Sequence, residues 1–276
     1  MNVSEALQIV TQTHTGMVRT QNEDSVLANP QRGFVVLADG MGGYNAGEVA
    51  SGMATALIGT QLEMALTQGA EPVPVGEGKS WQHALLETEI ARANAAIYQS
   101  AQSQPQYSGM GTTLVMGVFH DNLLTTAHIG DSRLYRLRGE EFRQITRDHS
   151  MLQEQIDAGL ITPEQARTSQ NKNLVTRALG VDPAVDPEIH DYEVEVGDVY
   201  LLCSDGLNDM VEDEEIGMTV SALSANLGLC ASQLIEMAND HGGRDNVSVI
   251  LVKVVGEFGA ARTGRSWLAR LLAWLK

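Results

Sequence analysis

Residues 33–43 of the chain, GFVVLADGMGG, decide the type of fold. The apolar run 33–38 predicts a buried β-strand that stops at Asp39 and Gly40, two residue types that favour turns. The following stretch, from Ala46 to about Gln68, is rich in Ala, Met and Leu at helical spacing and predicts a helix. The sequence therefore places an acidic residue at the end of a buried strand.

Blocks of strands and helices continue along the chain. Pro and Gly in 71–79 predict a loop, after which Ser80 is expected to cap a helix that runs to about Ala101. Four β-rich runs separated by turn residues predict an antiparallel meander, and they cover 112–119, 122–129, 133–138 and 141–145. Two further strand patterns follow, at 194–204 and 247–255. Two helical patterns lie between them, at 212–225 and 230–241. This order favours an α+β layered fold over a doubly wound parallel sheet.

Residues 147–180 form a polar segment with a helical pattern. Thr162, followed by Pro163 and then by Gln165, has the form of a capping box at a helix start. The weak apolar content predicts a flap that lies over a surface rather than in the core. At 276 residues the chain can form one large domain with this segment as a mobile insert.

Composition limits the functions open to the chain. It has 35 acidic and 18 basic residues and a net charge of −17, which disfavours nucleic acid as a partner. Its two cysteines, Cys203 and Cys230, offer no disulfide framework, and Cys203 is expected to be a buried thiol. Residues 1–10 are too short and polar for a secretory signal, and no stretch has the length of a membrane span. A cytoplasmic location is therefore expected.

Acidic signatures recur where strands are expected to begin or end. Four of them place an aspartate beside Gly or Asn, namely Asp39, Asp131, Asp205 and Asp245, and a fifth, Glu23-Asp24, follows Arg19. One such aspartate usually marks a turn, but five signatures in one chain indicate a shared site. Carboxylates suit Mg²⁺ and Mn²⁺, and no Cys/His cluster indicates zinc.

The ordered motifs carry a family resemblance. They comprise Arg19 with 22–24 (NED), 39–48 (DGMGGYNAGE), 111–113 (GTT), 130–133 (GDSR), 204–207 (SDGL) and 245–246 (DN). In this order they resemble the bacterial branch of the metal-dependent (type 2C, PPM) Ser/Thr protein phosphatases, over about residues 13–255. The resemblance implies an antiparallel β-sandwich flanked by helices on both faces, a four-layer α-β-β-α fold. It further implies a phosphatase domain in 1–256, with 257–276 as a tail.

The resemblance also implies a metal centre of Mn²⁺ or Mg²⁺ at one end of the sandwich. Asp39 would bridge two ions with the Gly40 carbonyl joining one of them, and Asp205 and Asp245 would hold the second. Glu23 and Asp24 would act directly or through water, and Asp131 would join Asp205 at a third, weaker site.

The implied reaction is direct hydrolysis of phosphoserine and phosphothreonine. Two close cations acidify a bridging water, and the resulting hydroxide attacks phosphorus in line with the leaving oxygen. Arg19 resembles the family's phosphate-binding arginine, whose planar fork suits two phosphate oxygens, although a surface salt bridge is the plainer alternative.

The proton donor stays open. Many relatives carry a histidine where this chain has Tyr44, and Tyr44 with an ordinary pKa is a poor acid near neutral pH. His149 is a second candidate, with a structural role capping the following helix as its alternative, and metal-bound water is a third.

The expected activity is that of a monomeric phosphoprotein phosphatase that opposes a bacterial Ser/Thr kinase. One alternative is a pseudophosphatase that binds phosphoproteins without turnover, although Asp39, Asp205 and Asp245 are all present. Another is a metal phosphoesterase for small molecules, although the polar flap suits a protein-sized substrate. The basic, amphipathic segment 265–276 predicts contact with a membrane surface or a partner, or else a helix that packs on the domain itself or frays.

Overall fold

The structure, a computed structural model, describes residues 2–43, 46–68, 80–162, 165–166 and 174–259. The predicted loop 71–79, Tyr44, part of the flap and the tail from residue 260 lie outside the described residues. Two antiparallel sheets form the centre of the described chain.

The larger sheet has six strands. Its path is β2-β3-β5-β6-β9, and β4 pairs with β3 beside that path. The strands are β2 (Asp24–Asn29), β3 (Phe34–Met41), β4 (Gly111–Thr112), β5 (Leu114–His120), β6 (Leu123–Ile129) and β9 (Glu188–Glu193). The predicted strand at 33–38 is thus β3, whose buried part ends beside Asp39.

The smaller sheet has five strands in the order β1-β11-β10-β7-β8. They are β1 (Leu7–His14), β7 (Arg133–Arg138), β8 (Glu141–Gln144), β10 (Val199–Cys203) and β11 (Val247–Val254). β11 pairs with β1 along its whole length and with β10 on its other side. The first and last strands of the described chain are therefore neighbours.

The predicted meander over 112–145 is wrong in one respect. β5 pairs with β6, and β7 pairs with β8, but β6 and β7 belong to different sheets. The turn 130–132 carries the chain between the sheets, and Gly130 has a φ of +100° there. Each hairpin satisfies the alternating pattern alone, so the pattern could not reveal this crossing.

Helices cover the outer face of each sheet. α2 (Ala46–Gln68) and α3 (Trp81–Ser103) share a buried core with the larger sheet. The predicted cap of α3 is confirmed, because the Ser80 hydroxyl accepts a hydrogen bond from the His83 amide at 3.1 Å. Short helices are α1 (Val3–Ala6), α4 (Met151–Asp157), α5 (Asp205–Asn208) and the 3-10 turn Pro105–Tyr107, and two longer ones, α6 (Asp213–Leu223) and α7 (Leu227–Asp240), cover the smaller sheet.

Apolar side chains of both sheets meet in a third core between them. Phe119 of the larger sheet packs edge-on against Tyr200 of the smaller one, with ring centroids 5.6 Å apart, and against Phe258 at 6.2 Å. Burying each ring stabilises the fold by roughly 1.5–3 kcal/mol. The four-layer α-β-β-α arrangement is confirmed.

The described part of the flap is less helical than predicted. The capping box is formed, since the Thr162 amide donates to Gln165 Oε1 at 2.8 Å and the Gln165 amide donates to Thr162 Oγ1 at 3.3 Å. Within the flap a single bridge joins Val175 to Ser150, and near its end another joins Leu179 to Thr112. Of the helices that the structure describes, none has the length and hydropathy of a membrane span.

Candidate metal centre

Asp24 and Asp39 come from neighbouring strands of the larger sheet. Asp24 begins β2 and lies opposite Asp39 in the β2–β3 register. The backbone of Asp39 is fixed by Thr113, whose hydroxyl accepts from the Asp39 amide at 3.1 Å and whose amide donates to the Asp39 carbonyl at 2.9 Å. Two carboxylates are thereby held side by side.

Asp205 and Asp245 come from the smaller sheet. Asp205 begins α5 just after β10, and Asp245 lies just before the adjacent strand β11. The two segments approach closely, because a Cβ at Gly206 would collide with the Asn246 carbonyl oxygen. A side chain at position 206 would therefore separate the segments that carry the two aspartates.

Asp39, Asp205 and Asp245 line a cleft of about 200 Å³ at one end of the sandwich. Its lining contains most of the predicted site residues, namely Arg19, Glu23, Asp39, Gly40, Asp131, Asp205 and Asp245, together with Met41, Gly42, Thr113 and Val175. The structure therefore gathers residues that are more than 200 positions apart in the sequence. Their roles as ligands stay predictions.

Asp24 is buried close to this cleft. Its Oδ2 accepts hydrogen bonds from the hydroxyls of Ser204 at 2.8 Å and Ser248 at 2.6 Å. Its other oxygen, Oδ1, is buried without a hydrogen-bond partner among the described residues. Burial raises the pKa of Asp24 to about 6, although these two hydrogen bonds limit the rise. A buried, unpartnered carboxylate oxygen is what a missing cation would explain.

Burial and mutual repulsion dominate the electrostatics of the other aspartates. The pKa of Asp39 is raised well above its usual range, first by burial and then by the charge of Asp24 and Asp205. Burial is also the main reason that the pKa of Asp205 is raised. Burial raises the pKa of Asp131 to about 7, with repulsion from Asp148 next. The cleft therefore holds several carboxylate oxygens without enough positive charge to balance them. Such a set of oxygen ligands fits Mn²⁺ or Mg²⁺.

Arg19 is the cation on the cleft wall. Its Nη2 donates to Asp245 Oδ2 at 2.6 Å, and this hydrogen bond is the main reason that the pKa of Arg19 is raised. The side chain is 51% exposed, so its remaining donors are accessible from the cleft. The salt bridge that was the plainer alternative for Arg19 is formed, but it is made with a carboxylate of the candidate site.

Asn246 and Ser248 support the site in a way that the sequence did not predict. The Asn246 side chain accepts from the Glu23 amide at 2.8 Å and donates to the carbonyls of Thr15 and Gln21 at 2.9 and 2.8 Å. It thus joins the start of β11 to the loop that carries Arg19. The Asp-Asn motif was a signal for Asn246, whereas Ser248 lies within an apolar run that gave none.

His149 does not cap the following helix, contrary to the structural alternative given above. The cap of α4 is Ser150, whose hydroxyl accepts from the Gln153 amide at 3.2 Å. His149 Nδ1 accepts from the Gly130 amide at 3.2 Å, and its Nε2 lies 3.1 Å from Glu188 Oε1. Burial lowers the pKa of His149. Nδ1 thus holds the turn that carries Asp131, Nε2 is engaged by Glu188, and Tyr44 lies outside the described residues.

His128, His149 and Glu188 form a second polar cluster, whose donor atoms lie within 4.8 Å of one another. The two rings stack at a centroid distance of 4.8 Å and an angle of 23°. His128 Nε2 bonds the Arg147 carbonyl at 2.8 Å and must therefore carry a proton. In this arrangement His128 Nε2 and both ring nitrogens of His149 are engaged in hydrogen bonds, so the cluster is not a set of free ligands.

Known proteins match both the sequence and the fold. The family profile of Protein phosphatase 2C matches residues 14–236. The serine/threonine protein phosphatase PstP of Mycobacterium tuberculosis is 41% identical over 254 residues, which are 92% of this chain and 46% of that protein. The chain thus spans about half the length of PstP. Protein phosphatase PhpP of Streptococcus pneumoniae is 38% identical over 256 residues, 90% of this chain and 98% of PhpP.

Solved structures agree. The catalytic domain of PstP in complex with two manganese ions superimposes with a TM-score of 0.78 at 39% identity, covering 91% of this chain and 99% of that one. Serine/threonine phosphatase Stp1 from Staphylococcus aureus gives a TM-score of 0.81 at 34% identity, covering 93% and 98%. The resemblance found in the ordered motifs is confirmed: the chain belongs to the protein phosphatase 2C family, and these relatives are bacterial.

Proposed function

We propose that the chain is a metal-dependent phosphoprotein phosphatase that hydrolyses phosphoserine and phosphothreonine. The observation that carries the proposal is the convergence of aspartates from both sheets, with Arg19, on one cleft. The names of PstP, PhpP and Stp1 support the activity, and the two manganese ions of the PstP structure support the cofactor.

The metal would be held by the residues gathered at the cleft. We assign Asp39, the Gly40 carbonyl, Asp205 and Asp245 to two ions, with Asp24 close to them, and Asp131 to a third. Bound Mn²⁺ or Mg²⁺ would activate water and neutralise charge on the phosphoryl group. The unpartnered Asp24 Oδ1 and the raised pKa values of Asp39 and Asp205 support this assignment.

The side chains of this chain orient the reaction. Arg19 presents a planar guanidinium with donors left over from its bond to Asp245, and these would bind phosphoryl oxygens. Ser204 and Ser248 fix the Asp24 carboxylate, and Thr113 fixes Asp39. Because the ring nitrogens of His149 are engaged by Gly130 and Glu188, we assign proton donation to water in the cleft rather than to His149.

We further propose the cellular setting. The substrates would be proteins phosphorylated by a cognate Ser/Thr kinase in the cytoplasm, and the phosphatase domain, residues 1–256, would act as a monomer. The buried free thiols of Cys203 and Cys230 are compatible with a reducing compartment.

A metal titration tests the activity. The full chain is incubated with a phosphothreonine peptide over increasing Mn²⁺, with EDTA and the Asp39→Asn variant as controls. Phosphate release that rises with Mn²⁺ and is lost in both controls is expected. Peptide binding without release would instead identify a pseudophosphatase. Release from p-nitrophenyl phosphate but not from the peptide would identify a small-molecule phosphoesterase.

A further inference from the structure

A groove of the described chain lies away from the metal centre, on the outer face of the smaller sheet. It measures about 530 Å³ and runs between α6 and the β7–β8 hairpin. Phe142 lines it and stacks on the fully buried ring of Tyr135, with ring centroids 5.0 Å apart at 9°. Gly217 allows α6 to approach, because a Cβ there would lie 2.8 Å from the Phe142 ring, and Met218 beside it is 61% exposed. The size is that of a ligand site rather than a packing defect.

The rim of the groove is mainly acidic. Glu140 and Glu214 stand on it and form no ion pair with the residues that the structure describes, while Asp213 accepts from the Tyr135 hydroxyl at 2.8 Å. Arg143 is the one cation among the groove's lining residues. An occupant should therefore combine large apolar side chains with positive charge.

The end of the described chain lies at the same end of the sandwich as the hairpin turn of the groove. The Phe258 amide donates to Asn122 Oδ1 at 2.7 Å, and the Asn122 carbonyl accepts from the Val194 amide at 3.0 Å. The carbonyl of the preceding residue, Glu193, accepts from Arg138 Nη2 at 2.8 Å. Arg138 ends β7 and precedes Gly139 and Glu140 of the turn. These contacts link the chain exit to the groove's rim.

The sequence after residue 259 has the required chemistry. Residues 260–276 contain no acidic residue, six large apolar residues (Trp267, Leu268, Leu271, Leu272, Trp274 and Leu275) and four basic ones (Arg262, Arg265, Arg270 and Lys276). Seventeen residues can extend over roughly 55 Å, well beyond the length of a six-residue strand such as β7. All 35 acidic residues of the chain precede this segment, so an anionic membrane would repel the domain that the segment is tethered to.

We propose that residues 260–276 bind in this groove of the same chain. Their apolar side chains would cover Phe142 and Met218, and their basic side chains would lie beside Glu140 and Glu214. Tethering supports an intramolecular contact, since a short linker gives a local concentration on the order of millimolar. The groove also meets a second pocket at Gln144 and Asp213, and that pocket reaches Asp131 and Asp205. A bound tail would thus lie beside a path into the catalytic cleft.

Cysteine pairs in the full chain test the contact. The pair Met218→Cys and Ala273→Cys joins the groove to the tail, and the matched control replaces Met218→Cys by Leu229→Cys, which is 51% exposed on α7. The native thiols of Cys203 and Cys230 are buried, so mild oxidation should act on the added pair. We expect an intramolecular disulfide at least about fivefold more abundant in the groove pair than in the control.

Four results would overturn the proposal. Equal yields in the two pairs would show that the tail has no preferred site, and disulfides formed only between two chains would indicate a second copy as occupant. If the wild-type chain sediments with vesicles containing phosphatidylserine, and the Met218→Cys/Ala273→Cys variant forms no groove disulfide, the tail would be assigned to a membrane. The combined changes Glu140→Lys and Glu214→Lys should lower the groove disulfide yield, and an unchanged yield would also contradict the proposal.

Discussion

Asp24 and Asp39 face each other across adjacent strands, and the pair sits at the edge where β2 meets β3. Only one oxygen of Asp24 has hydrogen-bond donors, from Ser204 and Ser248, while the other is buried without a described partner. Burial raises the pKa of both carboxyl groups, and the charge of Asp24 raises the pKa of Asp39 further. A proton or a bound cation would therefore relieve the repulsion between these two carboxylates.

Stability without metal should depend on pH. The folded-state pKa is about 6 for Asp24 and about 7 for Asp131, both above the ordinary value of an aspartate in an unfolded chain, about 3.9. The folded state therefore binds protons more tightly, so the free energy of unfolding should rise as the pH falls from about 7 towards 4. We expect the Tm of the EDTA-treated chain to be higher at about pH 5.5 than at about pH 8. Each kcal/mol gained in the free energy of unfolding should raise the Tm by roughly 2–4 °C.

The matching measurement adds Mn²⁺ at both pH values. Burial lowers the pKa of His128 and His149, so their protonation on unfolding opposes the trend below about pH 6.5. The Tm increase on adding Mn²⁺ isolates the aspartates, and it should be larger at the higher pH, where the carboxylates are charged. An equal increase at both pH values would contradict the proposed centre.

Asp39→Asn should abolish metal-dependent hydrolysis and leave the fold intact. The change removes one buried negative charge that Asp24 and Asp205 repel, so the metal-free variant should be at least as stable as the wild type. We expect kcat/KM with a phosphothreonine peptide to fall by at least about 100-fold, the upper range for loss of groups that support a metal site. Near-wild-type turnover would remove Asp39 from the centre.

Ser248→Ala should weaken metal binding without removing a proposed ligand. Its hydroxyl donates to Asp24 Oδ2 at 2.6 Å, so its loss should raise the pKa of Asp24 and loosen the carboxylate. We expect the Mn²⁺ concentration for half-maximal activity to rise by about 10–100-fold. The control is Ser25→Ala. Ser25 follows Asp24 on β2, and its hydroxyl forms a hydrogen bond with the hydroxyl of Thr55 on α2. An unchanged metal requirement in Ser248→Ala would contradict the role.

Arg19→Ala should impair use of the phosphorylated substrate more than metal binding. The guanidinium touches Asp245 and has donors facing the cleft, so its loss removes a phosphate contact. We expect kcat/KM to fall by about 10–100-fold, from charge-assisted hydrogen bonds worth about 1.5–3 kcal/mol. Arg19→Lys should recover only part of the loss, because an ammonium cannot form the planar fork. An unaltered kcat/KM would exclude Arg19 from the site.

Asn246→Ala should destabilise the fold. Its 5%-exposed side chain makes three hydrogen bonds to the backbone of the segment 15–23, and their loss leaves buried groups unpaired. We expect the free energy of unfolding to fall by roughly 2–4 kcal/mol in urea titrations with EDTA present. The control Asn226→Ala removes a helix cap at the exposed start of α7 and should cost about 1 kcal/mol. A smaller effect at Asn246 than at Asn226 would contradict the prediction.

Local pattern was sufficient for part of this fold. Buried strands such as β3 carry continuous apolar runs, so their ends, and with them Asp39, were predictable. The sequence did not predict β1, β2 and β9, and each of these lies at the edge of its sheet. Their side chains are largely half-exposed or exposed, so they lack the apolar runs and the clean alternation of central strands.

The site was predictable as a set of residues but not as a geometry. The aspartates follow from ordered motifs, whereas the contact of Arg19 with Asp245 spans 226 positions and depends on tertiary packing. Ser248 alternates with apolar neighbours on a central strand, where a hydroxyl carries no sequence signal for an aspartate partner on the other sheet. The position of His149 beside a helix start predicted a helix cap. The side chain instead accepts a hydrogen bond from the Gly130 amide, in the turn that carries Asp131.

The position of β11 between β1 and β10 has a consequence for protein synthesis. On the ribosome these two strands lack their common neighbour until residue 254 has emerged, because β11 is the last strand of the described chain. Asp245, just before β11, emerges at nearly the same moment. A nascent chain therefore lacks Asp245 from the cleft until translation has passed this strand, and under the proposed function it would hydrolyse no phosphoprotein before that point.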